Sequence, residues 1–287
     1  MNVFDQPDNF PPIFHHTWEY LKTNGPTHRD TLEKALAPNS FAKTAHANVK
    51  STISLGIRIH IFKADSDLLS NSVQTNSCDD FNSFRRVVRD VYFDQKLNSQ
   101  SDLKNQKGNL QLAAAWFLSF PFDQSPGTWK QAEKELPKDF SIEHTHWPIQ
   151  NDTQWTGFER WMRFLGLGIQ GVGRGDSMVL QPCINELVLD SLHDLPYGSR
   201  TPIKSFLDVL TSRLPSLPGG VVFSDLPSDV TNRVKTRNTA LVAQALRDLA
   251  VQEVVKLESG VDVSKREVFS VEAGEFNFDF IVKGKNK

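Results

Sequence analysis

Apolar positions recur at helical spacing in three stretches of this chain, and each stretch runs into alternating or Gly-punctuated residues. The first is Ser40–Leu55, where Phe41, Ala45, Val49 and Ile53 return every fourth residue like the buried stripe of a helix. The second is Asp152–Leu165, with Trp155, Phe158, Trp161, Met162 and Leu165 on one face. The third is Thr239–Gln252, with Leu241, Ala245 and Leu249 inward. Hairpins are predicted to follow at Arg58–Leu69, Gly166–Pro182 and Glu253–Val271. Two shorter helices precede each long one. Three helices and a hairpin make a winged helix-turn-helix, a unit shaped to place its third helix in a DNA major groove. The expected fold is therefore mainly α with small β-hairpins (α+β), arranged as tandem winged helix-turn-helix units.

Turn and cap signals set the expected boundaries: an N-terminal winged helix over 1–71, a helical linker over 72–108, a second unit over 109–183, and a third over 184–287 with a C-terminal strand. Within the first unit, Asn24-Gly25-Pro26 marks a turn and Thr27 is placed to cap helix His28–Ala37, with Asp30 at the capping-box position. Gly56 reads as the stop of the third helix, and Arg58–Phe62 as a half-buried strand. In the linker, Phe81–Phe93 puts Phe84, Val87, Val88 and Tyr92 inward and Arg85, Arg86 and Arg89 outward. Asp152 reads as the cap of the second long helix. Near the C-terminus, Val254–Glu258 and Glu267–Val271 are expected to pair, and Phe276–Val282 to add one strand.

Composition changes this picture mainly through charge. The 287 residues suit two or three compact units, and the contents of apolar and charged residues are ordinary. The formal net charge of −2 counts against a non-specific DNA binder, unless the basic residues are unevenly placed. They are uneven. No acidic residue lies between Ala35 and Ala64, a stretch holding Lys43, Lys50, Arg58 and Lys63, and none lies between Val230 and Arg247, which holds Arg233, Lys235, Arg237 and Arg247. Arg160, Arg163 and Arg174 gather around the second long helix and its hairpin. The residues placed to touch duplex DNA are Lys43, Lys50, Arg160, Arg163, Arg237 and Arg247, with Lys63 and Arg174 on the wings. The alternative is that these are ordinary solvated helix faces; winged helices also serve as protein–protein modules, a role that large apolar third helices suit.

Other signals narrow the field. No apolar run approaches a bilayer span, and the leader lacks the basic and apolar regions of a signal peptide. Cys78 and Cys183 stand far apart without metal spacing, which fits a reducing, cytoplasmic setting. Gly166–Gly171 matches G-x-G-x-x-G by letter, but a helix precedes it and a strand follows, the reverse of a dinucleotide site. His144 and His146 beside Glu143 lack a third ligand at a recognisable spacing, and His15-His16 read as helix surface. No Glu-x-Lys occurs, so a two-metal nuclease would have to use the C-terminal Glu272, Glu275, Asp279 and Lys283. No cofactor or metal is expected.

Several local words are similar to the DpdG proteins: Pro7-Asp8 before the first helix, Asn151-Asp152, Trp155, Arg160-Trp161, Arg163–Gly166, a strand ending at Pro182, and Ala245–Leu249. The Gly-rich run Gly168–Gly175 departs from that pattern and puts the shape of the second wing in doubt. DpdG proteins are accessory members of bacterial gene clusters that insert 7-deazaguanine derivatives into DNA and restrict foreign DNA. The resemblance implies an anti-phage defence role beside helicase or nuclease subunits of the same system, and it carries no catalytic motif to this chain. The combined expectation is a non-enzymatic adaptor that binds double-stranded DNA through winged helices and positions enzymatic partners, without a membrane association. A purely protein–protein scaffold is the rival, and a nuclease using the C-terminal carboxylates a weaker third.

Overall fold

The computed structural model describes residues 11–38, 40–94, 110–140, 147–172, 178–235, 240–259, 268–271 and 274–284. In chain order its elements are α1 (Pro11–Asn24), β1 (Thr27–His28), α2 (Arg29–Leu36), α3 (Lys43–Arg58), β2 (Phe62–Asp65), β3 (Leu68–Asn71), α4 (Val73–Asn76) and α5 (Phe81–Phe93). There follow α6 (Leu110–Leu118), α7 (Trp129–Asp139), α8 (Asp152–Phe164), β4 (Gly168–Val172), β5 (Met178–Pro182), α9 (Asn185–His193), β6 (Arg200–Pro202) and α10 (Ile203–Arg213). Last come α11 (Val221–Ser224), α12 (Ser228–Lys235), α13 (Ala240–Val251), β7 (Val255–Glu258), β8 (Val268–Val271), β9 (Gly274–Asn277) and β10 (Phe280–Lys283). The fold is mainly α, with antiparallel sheets of two or three strands. The chain forms two compact units, Met1–Leu110 with His144–Leu165, and Gln111–Glu143 with Gly166–Lys287.

In the first unit, α1 is held by its apolar side. Phe14, Trp18 and Leu21 are buried, three and four residues apart. The Phe14 ring meets Trp161 of α8 edge-on at 5.4 Å and lies 5.8 Å from Phe62 of β2. Burying such side chains stabilises by about 1.5–3 kcal/mol each, so this aromatic cluster is a main tie between α1, α8 and the hairpin. The sheet has the order β1-β3-β2, with Thr27 opposite Leu69 and Phe62 opposite Asn71.

Five features of this unit differ from the expectation. Thr27 is not a helix cap: Thr27 and His28 are extended and pair with β3, and the Thr27 hydroxyl donates to Gly25 O. Gly56 does not stop α3, which runs on to Arg58. A Cβ at Gly56 would lie 2.4 Å from Phe62 Cδ2 and 3.3 Å from Phe14 Cε1, so this glycine permits close ring approach. The turn comes later, at His60, whose φ of 60° is left-handed. Phe41 is 54% exposed, while Val49 and Ile53 of the same expected stripe are buried. On α5, Arg89 is buried rather than outward, and its guanidinium reaches Leu165 O at 3.5 Å. The cap of α8 is Asn151, whose side chain accepts from Gln154 N at 2.9 Å; Asp152 is the first helical residue.

In the second unit, buried Trp116 of α6 donates its indole N–H to Asp139 of α7 at 2.7 Å. The β4–β5 hairpin pairs Gly168 with Pro182 and Val172 with Met178, and Leu180 N donates to Gly127 O just before α7. A three-stranded sheet of order β6-β10-β7 closes the C-terminal part. Here the expected pairing of Val254–Glu258 with Glu267–Val271 is replaced. β7 pairs with β10, and β8 pairs with β9. The β8–β9 register puts Val271 opposite Gly274. The place beside β7 goes to β10, whose Ile281 is buried, as is Phe278 just before it.

Candidate nucleic-acid interface

Helix α3 divides cleanly between a core side and a solvent side. Val49, Thr52, Ile53, Leu55 and Gly56 are buried. Lys43, Thr44, Ala47, Lys50 and Arg58 are exposed, and Ser51 and Ser54 are half-buried. Positions 43, 47, 50 and 54 follow the three- and four-residue spacing of one helix face. That face is basic or small, so a surface as close-fitting as a duplex groove meets no bulky obstacle on it.

The face has one built-in counter-charge. Glu33 of α2, only 11% exposed at its side chain, lies 2.8 Å from Arg29 Nε and 3.7 Å from Lys50 Nζ. Arg29 in turn donates to Ser54 Oγ at 3.0 Å, and Ser54 Oγ donates to Lys50 O at 2.8 Å. This chain of contacts fixes α2 against α3 and partly neutralises Lys50. The sequence reading missed it, although Arg29 and Glu33 stand at the i, i+4 spacing of a helix ion pair.

The other expected contacts fall differently. Lys63 is exposed on β2, but Asp65 and Asp67 bracket the β2–β3 turn and are exposed too, so the hairpin tip is acidic. On α8, Arg163 is exposed and Arg160 half-buried, whereas Gln154, Trp155, Gly157, Phe158, Trp161, Met162 and Phe164 are all buried. The solvent side of α8 is made by Asp152, Thr153, Thr156 and Arg163, with Glu159 and Arg160 half-buried. On α13, Arg247 is exposed amid buried Leu241, Val242, Ala243, Ala245, Leu246 and Leu249. Arg174 and Arg237 lie outside the described residues, as do Glu143, His144 and His146. Gly168 opens a strand directly after α8, and a Cβ on Gly171 would strike Gln181 Oε1. These glycines therefore serve the hairpin. At the C-terminus, Lys283 donates to His193 O and Leu195 O, and Asp279 is buried.

The first unit also carries a groove of about 1080 Å³, walled by α1, by the α2–α3 junction and by residues 79–81. Exposed Phe41 and Phe81 line it with Ile13 and Val49, and His15, His16 and Glu19 form part of its polar wall. Burial holds the His15 imidazole below its ordinary pKa, with Glu19 opposing and His16 adding to that effect. Asp80, at the mouth, lies below the usual carboxylate range because it accepts from the backbone N–H and hydroxyl of Ser83, the capping box of α5. The sequence signal for this wall was His15 and Glu19 at i, i+4 on one helix.

The chain belongs to the DpdG-like family, whose pattern matches residues 1–263 of 287. That membership associates it with the Dpd DNA modification and defence system. No curated protein and no solved structure matches the chain. No helix among the described residues is long and apolar enough to cross a membrane.

Proposed function

We propose that this chain is a non-enzymatic DNA-binding component of a Dpd defence system, and that α3 is its reading helix. The observation that carries this reading is the open basic face of α3 in a segment without acids, from Ala35 to Ala64. The element order α1-β1-α2-α3-β2-β3 with strand order β1-β3-β2 supports a winged helix-turn-helix for the N-terminal part. The order α9-β6-α10-α13-β7-β10 with strand order β6-β10-β7 follows the same plan, with α11 and α12 inserted before α13 and the β8–β9 pair inserted between β7 and β10. Lys43 and Lys50 make the phosphate or groove contacts and Lys63 adds one at the root of the wing; the acidic tip stays off the backbone. Charge reversal at Lys43 and Lys50 together tests this. It is expected to abolish low-salt binding to duplex DNA while the variant keeps its fold, and unchanged binding would sink the reading.

A second reading is supported by the broad buried faces of α8 and α13 and by the net charge of −2. There these later helices are architectural, and the protein positions helicase or nuclease subunits of the same bacterial, cytoplasmic system. Co-purification of those subunits with the Lys43→Glu/Lys50→Glu variant separates the roles. The adaptor function persists when DNA binding is lost.

A further inference from the structure

We propose that His15, His16 and Glu19 form a zinc site on the wall of the α1 groove. Among the described residues, this is the cluster whose ligand atoms, one from each of three side chains, all lie within 4.8 Å of one another. His15 Nε2 stands 3.7 Å from Glu19 Oε1, and His16 Nδ1 stands 3.6 Å from Glu19 Oε2. Both separations are long for a hydrogen bond. They are close to the spacing of donors that share one cation, because tetrahedral bonds of about 2.0–2.1 Å put ligand atoms ~3.4 Å apart. The two distances end on different Glu19 oxygens, so a rotation of the exposed Glu19 carboxylate together with the exposed His16 ring is what gathers one oxygen and both nitrogens around a single cation.

The two imidazoles are unequal in a useful way. His15 is held in place, stacked on Trp18 at 5.6 Å and meeting Phe81 edge-on at 4.8 Å. His16 is 63% exposed at its side chain and can swing toward the metal. Two imidazole nitrogens with one carboxylate oxygen favour zinc over the hard cations magnesium and calcium, which prefer all-oxygen shells. Three protein ligands leave a fourth tetrahedral position open to water or to an anionic group, and all three residues line the groove. This inference is independent of DNA binding by α3.

Titration calorimetry of the full chain with zinc chloride alone tests the site. One equivalent is expected to bind, and Glu19→Gln is expected to weaken it by about tenfold or more, since even second-sphere losses cost metal sites that much. Glu19 is exposed, so this variant keeps the fold; His16→Ala is expected to act in the same direction. A His144→Ala/His146→Ala variant is expected to bind as the parent does. Absence of saturable binding, an unaltered affinity in Glu19→Gln, or loss of binding in the His144/His146 variant would each overturn the proposal.

Discussion

Replacing Gly56 by alanine tests how tightly α3 is seated on the hairpin. In a solvent-facing helix interior the change stabilises by about 0.5–1 kcal/mol, because alanine loses less backbone freedom on folding. At Gly56 the added methyl would sit 2.4 and 2.5 Å from two atoms of the Phe62 ring and 3.3 Å from Phe14. Phe62 is 2% exposed and Phe14 fully buried, so neither ring has open space to enter. Overpacking of this kind costs about 1–3 kcal/mol, which outweighs the propensity gain and leaves a net loss of about 1 kcal/mol. Urea unfolding followed by circular dichroism reads this as a lower midpoint at unchanged slope. Phe62→Leu in the same chain makes room for the methyl, so the double variant is expected to lose less than the sum of the single losses. A stabilised Gly56→Ala protein, or strict additivity in the double variant, would refute the close packing between α3 and β2.

Three further outcomes follow from named contacts. Glu33→Gln removes the carboxylate shared by Arg29 and Lys50, so duplex affinity at low salt is expected to rise several-fold in an anisotropy titration, at a stability cost of about 1–2 kcal/mol because the Glu33 side chain is buried while its partners reach solvent. Asn151→Ala deletes the α8 cap and is expected to cost about 1 kcal/mol by urea unfolding, whereas Asn151→Asp keeps an acceptor and costs less. Asp80 has a folded pKa below its unfolded value, so its contribution is complete above the unfolded pKa of about 3.9 and is lost as pH falls through the folded one. Acid unfolding of Asp80→Ala is expected to show a shallower pH dependence below that value than the parent protein.

The helical period found α3, α8 and α13 with ends within a few residues, because each has a clear apolar stripe. Gly56 was misread because a glycine that stops a helix and one that admits a neighbouring ring look alike until Phe62 is folded against it. The exchange of partners at β7 was hidden for a related reason: Val255–Glu258 alternates well enough to pair with either later segment, and the burial of Phe278 and Ile281 decides between them. For the candidate interface, Lys43, Lys50 and Lys63 were legible from local charge, and all three are exposed. The burial around Arg160 and Arg247 was not, since Gln154, Gly157, Val242 and Ala243 are covered by tertiary packing that no periodic stripe announces. The groove and the His15–His16–Glu19 wall combine α1 with residues up to Phe81, a union that only the folded chain brings about.

DNA contact through α3 is tested most directly by the salt dependence of duplex binding. Fluorescence anisotropy with the parent chain and with Lys43→Gln/Lys50→Gln gives the slope of log K against log salt for each. Each phosphate contact contributes about 0.9 to that slope, so the double variant is expected to bind more weakly with a slope shallower by about 2. Equal slopes in the two proteins, or a parent chain that leaves the duplex unbound at low salt, would contradict the assignment of α3 as the DNA-reading helix.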